Sequence, residues 1–256
     1  MPPLLAVRDL AFHYPDGTPA LRGISFDVER SERVALLGST GSGKSTLLQH
    51  LNGLLTPDAG SVTVAGFAVA DDTVREVRRR VGLVFQDPND QLFLPTLLED
   101  VAFGPLNNGV DSHEAIHRAR AILEELGLVG VESRPAHHLS GGERRLAALA
   151  TVLVSRPDLL ALDEPTGDLD AVSRSRLVRL LTTRPETLLT ATHDLHVAAA
   201  LCERGVVLHR GVVVADRPLA DVLGDRELLE RHGLAAPLDR SGGAPSTRPS
   251  GWRRAD

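Results

Sequence analysis

The sequence predicts an α/β fold: a mainly parallel sheet flanked by helices, with an antiparallel β part and a helical segment inserted midway. Three observations carry this. Short apolar runs alternate with stretches of helical period. One of these runs leads into a glycine-rich turn that opens an apolar helix. From about Leu97 to Val154, strand-like runs give way to helical patterning.

Taken in chain order, "ISFDVE" (Ile24 to Glu29) alternates apolar and polar residues, as a half-buried strand does. "VALLG" (Val34 to Gly38) is apolar without a break, as expected of a strand covered on both faces. "TLLQHLNGLL" follows as an apolar helix. "VFQDPNDQLF" (Val84 to Phe93) begins like a buried strand and then turns polar. It closes on Leu92 and Phe93, which suit either a partner's helix or the helical segment. In "DSHEAIHRARAILEELG", Ala115, Ile116, Ala119, Ile122, Leu123 and Leu126 share one helical face. Asp111 with Glu114 reads as a capping box, and Gly127 as the C-terminal stop. "DLLALDE" (Asp158 to Glu164) and "TLLTATH" (Thr187 to His193) are again buried strands. "GVVLHRGVVVAD" (Gly205 to Asp216) reads as a hairpin turning near Arg210 and Gly211. From Arg240 the chain is rich in Gly, Pro and Ser, and disorder is expected over 240–256. The expected organisation is one domain over 1–239. Residues 1–95 and 155–239 form its α/β core, and 96–154 its helical part.

Composition narrows the function. Apolar residues make up 42% of the 256 and charged residues 24%, as in soluble globular proteins. The net charge of −6 argues against a basic surface for nucleic acid. The single cysteine, Cys202, lies in an apolar helical pattern and is expected in the core. "MPPLLAVRDL" lacks the charged and apolar regions of a leader, and no run approaches the roughly 20 apolar residues of a membrane span. The expectation is a cytosolic chain that reaches a membrane only through a partner. His137 and His138 are expected to be solvated rather than metal ligands.

"GSTGSGKST" supplies the chemistry. Gly38, Ser39, Thr40, Gly41, Ser42, Gly43, Lys44, Ser45 and Thr46 satisfy G-x-x-x-x-G-K-[ST] between a strand and a helix. The glycines let backbone N–H groups curve around phosphate oxygens, and the helix N-terminus adds a favourable dipole. Lys44 is placed to reach the β and γ phosphates and Ser45 to ligate Mg²⁺. The strand "LLALDE" brings Asp163 to its carboxyl end, where it can orient the Mg²⁺ shell. Glu164 follows as a candidate general base for water. "LSGGE" (Leu139 to Glu143) opens an amphipathic helix and makes a second anion-binding turn from Ser140, Gly141 and Gly142. A second such turn makes sense if it completes the site of another copy across a two-fold axis.

With these motifs in this order, the sequence resembles the ATP-binding subunits of ABC transporters, over about Leu4 to Leu234. The implied fold is a P-loop NTPase (RecA-like) core with an antiparallel β subdomain and an inserted α-helical subdomain. The resemblance implies ATP as substrate with Mg²⁺. It implies that Tyr14 in "FHYPDG" stacks on adenine and that Gln86 meets Mg²⁺ and water. Ser140 and Gly142 would touch the γ-phosphate held by the opposite subunit. Asp170 in "EPTGDLD" would cross the dimer interface, and His193 in "ATHD" would hold the γ-phosphate and the attacking water. Glu143 replaces the family's usual Gln, and its side chain is expected to point away from the turn. Leu146 stands where the family usually has Arg. "VFQDPNDQLFLPTLLEDVAFGPLNNG" is most similar to the ATPases of energy-coupling factor importers of the cobalt/nickel type. The implied partners are a second ATPase subunit (identical or paralogous), a transmembrane coupling protein and a substrate-binding membrane subunit, with no nucleic acid. The implied location is the cytoplasmic face of the cell membrane. A vitamin importer of the same architecture, such as one for biotin, and a soluble non-transport ABC ATPase are the alternatives.

Overall fold

The structure, a computed structural model, describes residues 2–234. Its centre is β3 (Arg33–Leu37), the "VALL" run. On one side β3 pairs in parallel with β8 (Thr187–Thr192), followed by β7 (Leu159–Asp163) and β6 (Val81–Val84). On the other side it pairs in parallel with β9 (Arg204–His209), which β10 (Val212–Pro218) extends antiparallel. Every residue of β6, β7 and β8 is buried, because both faces of the sheet are covered. Neighbouring residues therefore feed opposite cores. Ala35, Leu37, Leu160 and Leu162 join one, and Val34, Leu36, Leu159 and Ala161 the other. The β9–β10 turn puts Arg210 at φ 48° and Gly211 at φ 79°, the left-handed pair that a two-residue hairpin requires.

The second core lies under a four-stranded antiparallel sheet. It is built from β1 (Leu5–His13), β2 (Pro19–Val28), β4 (Ala59–Val64) and β5 (Phe67–Ala68), in the order β2-β1-β4-β5. Leu5, Val7, Leu10, Ile24 and Phe26 of this sheet meet Leu47, Leu48 and Leu51 of α1 (Lys44–Leu51). Burying one such leucine contributes about 1.5–3 kcal/mol, so α1 is anchored firmly where it starts the glycine-rich turn.

The first core lies under α3 (Leu97–Asn107), α4 (Ser112–Glu125) and α5 (Gly141–Leu153). Ala115, Ala119, Ile122 and Leu123 of α4 are buried, as the helical spacing predicts. Asp111 caps α4 by accepting from His113 N and Glu114 N, and Gly127 ends it at φ 67°. The capping box expected there is only half formed. Glu114 turns outward to accept from Arg118 Nε at 2.6 Å, a neighbour one turn on that outcompetes the backbone. The chain also carries α2 (Val74–Arg80), α6 (Ala171–Thr182), α7 (Leu195–Leu201), α8 (Leu219–Gly224) and α9 (Arg226–Arg231). Among the described residues no helix is long and apolar enough to cross a membrane. The disorder expected for 240–256 falls outside the described residues.

Candidate functional site

The turn between β3 and α1 is shaped by close contacts. Gly43 sits at φ 107°, and a Cβ there would lie 2.8 Å from the Ala20 carbonyl, so this position takes glycine. Lys44, 7% exposed, curls back to donate to the carbonyls of Gly38 (2.8 Å) and Ser39 (3.3 Å). Its Nζ is 3.6 Å from Glu164 Oε1. A cavity of about 410 Å³ opens over the turn. Its walls include Tyr14, Lys44, Gln86, Glu164 and His193, drawn from five separate segments.

Glu164 follows β7 at φ 42°, an uncommon left-handed conformation for a non-glycine residue. Its carboxylate is held from both sides. Oε2 accepts from Thr192 Oγ1 at 2.9 Å, and Oε1 accepts from His193 N at 3.1 Å and lies 2.8 Å from His193 Nδ1. The ends of β7 and β8 thus place the acid and the histidine in direct contact. His193 keeps 65% of its side chain exposed, facing the cavity.

The residues present fit a divalent cation. Asp163 is buried, its Oδ1 has no hydrogen-bond partner, and it lines the same cleft as Ser45. Burial pushes the Asp163 carboxyl above its usual range, while the nearby Ser45 hydroxyl opposes that shift. An orphaned carboxylate oxygen beside a hydroxyl is a donor set suited to Mg²⁺ and its waters. Among the described residues no cluster of three or more His, Cys, Asp or Glu stands ready for a metal, and His137 and His138 are exposed.

Tyr14 is 40% exposed at the cavity edge. Its ring packs edge-on against Phe12, and its hydroxyl lies 2.8 Å from Thr46 Oγ1. Gln86 lies just past β6, at the border between this cavity and a cleft of about 600 Å³ whose walls include Ser45, Gly141, Arg145 and Asp163.

Ser140 and Gly142 are not among the residues lining the P-loop cavity. They border a separate cavity of about 100 Å³. Ser140 caps α5, and Glu143 completes a full capping box. This corrects the expectation that Glu143 points away. Its Oε2 accepts from Ser140 N at 2.8 Å and Ser140 Oγ at 2.7 Å, because those donors are otherwise orphaned at a helix start. These bonds hold the Glu143 carboxyl below its usual range. Asp170 caps α6, accepting from Val172 N, Ser173 N and Ser173 Oγ. Ser173 in turn abuts Gly142, where a Cβ would lie 2.7 Å from its Oγ.

Leu146 is buried in the first core, so its position holds an apolar contact. The buried cation here is its neighbour Arg145, which the sequence did not single out. Thr192 was also missed, although a threonine ending an apolar strand beside His193 was a usable signal. Leu92 and Phe93 part ways. Leu92 is buried in the first core, whereas Phe93 is 64% exposed and packs edge-on against Phe103. Cys202 is buried, and desolvation pushes its thiol up to about 12.

The family described as ABC transporter matches residues 21–167. The energy-coupling factor transporter ATP-binding protein of Methanothermobacter thermautotrophicus is 44% identical over 239 residues, covering 91% of this chain and 77% of that protein. Among solved structures, CbiO1 from Clostridium perfringens, described as part of the ABC transporter complex CbiONQ, superposes with a TM-score of 0.77 at 34% identity. That match covers 90% of this chain and 94% of the other. A dimeric ATP-binding cassette in a post-hydrolysis state with ADP and phosphate gives a TM-score of 0.77 at 28% identity, covering 84% and 98%.

Proposed function

The chain belongs to the ABC transporter family and is an ATPase that uses ATP with Mg²⁺, and on that premise we propose that it is the ATP-hydrolysing subunit of an energy-coupling factor importer. It works as a peripheral subunit on the cytoplasmic face of the cell membrane. The observation that carries this reading is the division of the site. The phosphate turn, Glu164 and His193 share one cavity, Ser140 and Gly142 border another, and of the Ser140 turn only Gly141 lines the open cleft beside Ser45 and Asp163. Each chain then offers two half-sites, and a second chain facing it completes both.

In that dimer the amides of Gly38 to Thr46 cradle the phosphates, Lys44 trades its loop carbonyls for phosphate oxygens, and Tyr14 stacks on the base. When bound, Mg²⁺ would supply neutralising charge to the phosphates, and Ser45, Gln86 and Asp163 would hold it. Glu164, steadied by Thr192, orients or deprotonates the attacking water, and His193 holds that water against the γ-phosphate. Ser140, Gly141 and Gly142 of the facing chain present their amides and hydroxyl to the same phosphate. Asp170 lies on the dimer face and keeps α6 and the Ser140 turn in register through Ser173.

The partner surface lies past Gln86. A groove of about 600 Å³ is walled by Phe93, Phe103, Gly104 and Val152, with Arg75 and Arg79 on its rim. The exposed Phe93–Phe103 pair suits the cytoplasmic helix of a transmembrane coupling protein, and a third, membrane-embedded subunit binds the substrate. A divalent metal, cobalt or nickel, is the substrate we favour, because the Gln86-to-Gly109 stretch resembles the metal-type ATPases. A vitamin such as biotin is the alternative cargo. The test is co-purification in detergent with the coupling protein. Stable association that Phe93→Asp abolishes is expected. Failure to associate, with ribosomes captured instead, would overturn the transporter reading.

A further inference from the structure

Arg145 lies just past the first turn of α5 and is 4% exposed. A buried cation normally has a carboxylate against it, yet among the described residues Arg145 forms no ion pair. Its fork is spread over three carbonyls instead. Nη1 donates to Phe85 O at 3.1 Å and Gln86 O at 2.7 Å, and Nη2 donates to Gly167 O at 3.3 Å. Nε is buried without a partner. Desolvation lowers the Arg145 pKa, and the more distant Asp168, Asp87 and Asp163 offset part of that cost.

The three carbonyls belong to two loops of the α/β core. One peptide carries Gln86 itself. Gly167 lies in the loop after β7, and its N–H donates to the Glu164 carbonyl at 3.1 Å. A planar five-donor guanidinium can span both loops at once, whereas a lysine ammonium concentrates its charge at one point. Arg145 is thus a single joint between the helix that begins at Ser140 and the two loops that present Gln86 and Glu164.

We propose that Arg145 is a positioning residue: it holds the Gln86 and Gly167 backbones against α5, so that Gln86 is aligned with the nucleotide only while the Ser140 helix is seated. This rests on the ATPase reading above and adds to it a link from the helical layer to the reacting phosphate. Leu146 and Arg145 then divide two tasks between adjacent positions, one packing into the core and the other reaching across to the loops.

The test is a double-mutant cycle on the full chain with Arg145→Met, Gln86→Ala and the pair, reading kcat and equilibrium ATP affinity, with thermal stability as control. Arg145→Met should lower kcat at least about tenfold and leave ATP affinity within about twofold. The pair should be no slower than the worse single variant, because residues acting through one another are not additive. Arg145→Lys should recover part of the loss. It also replaces Met in the cycle if Arg145→Met lowers the melting temperature markedly. Wild-type kcat in Arg145→Met or Gln86→Ala, multiplicative losses in the pair, or ATP affinity falling in step with kcat would each overturn the proposal. A wild-type chain with no ATPase activity would instead overturn the parent reading.

Discussion

Replacing Glu143 by Gln tests whether the donors of Ser140 are contested. In the free chain the Glu143 carboxylate occupies both Ser140 N and Ser140 Oγ, at 2.8 and 2.7 Å. In the proposed dimer these donors turn to the partner's γ-phosphate, so the carboxylate must yield. Hydrogen bonds to charged groups contribute about 1.5–3 kcal/mol and neutral ones about 0.5–1.5. Two such bonds, discounted heavily for solvent exposure, leave a difference of about 1 kcal/mol per turn, or about fivefold per bound ATP. The assay is sedimentation of the chain across an ATP titration, with Glu164→Gln in both variants to stop turnover. Glu143→Gln should lower the ATP needed for half-dimerisation about fivefold. The sign with pH follows from the depressed Glu143 pKa. The carboxylate's hold on the turn is complete above the ordinary carboxylate range and is lost as pH falls through its lowered folded value. The gap between the variants should therefore be full at neutral pH and close only in acid. An unchanged or higher ATP requirement at neutral pH would refute the competition.

Other outcomes follow from single contacts. Gly142→Ala puts a Cβ 2.7 Å from Ser173 Oγ. Overpacking of that kind costs about 1–3 kcal/mol of folding stability, so the melting temperature of the chain should fall. Gly142→Ala/Ser173→Gly should regain most of that loss, and a normal single variant would deny the contact. Tyr14→Phe should leave ATP affinity within about twofold, while Tyr14→Ala, losing about 1–3 kcal/mol of stacking, should weaken it by about 5- to 150-fold. Equal effects would place the weight on the Thr46 hydrogen bond. Cys202, buried with its thiol pushed up to about 12, should resist thiol reagents at pH 8 in the native chain and react fully in denaturant. Fast native labelling would contradict its burial.

The sequence was most legible where chemistry is local. "GSTGSGKST" must form a turn with amides pointing inward, and "LLALDE" must carry its acids to the end of a buried strand, because both follow from backbone geometry and apolar runs. The same logic foresaw the Arg210–Gly211 hairpin and the buried face of α4. Choices between competing partners were not legible. Glu114 had the spacing of a capping box and went to Arg118, while Glu143, expected to turn away, formed the box. Both are short-range contests decided by which donors are already satisfied. Arg145 was hidden because helical spacing gives the face it shares but not the loops that face meets. Leu92 and Phe93 were equivalent as letters and are separated only by tertiary packing, Leu92 entering the first core and Phe93 packing outside it against Phe103.

The most direct measurement is on Glu164→Gln. Mixed with ATP and Mg²⁺, this variant should sediment as a dimer, remain monomeric with ADP, and hydrolyse ATP at least about 100-fold more slowly than wild type, a loss of about 2.7 kcal/mol in transition-state stabilisation. A variant that stays monomeric with ATP, or that turns over near the wild-type rate, would contradict a site shared between two chains with Glu164 at its centre.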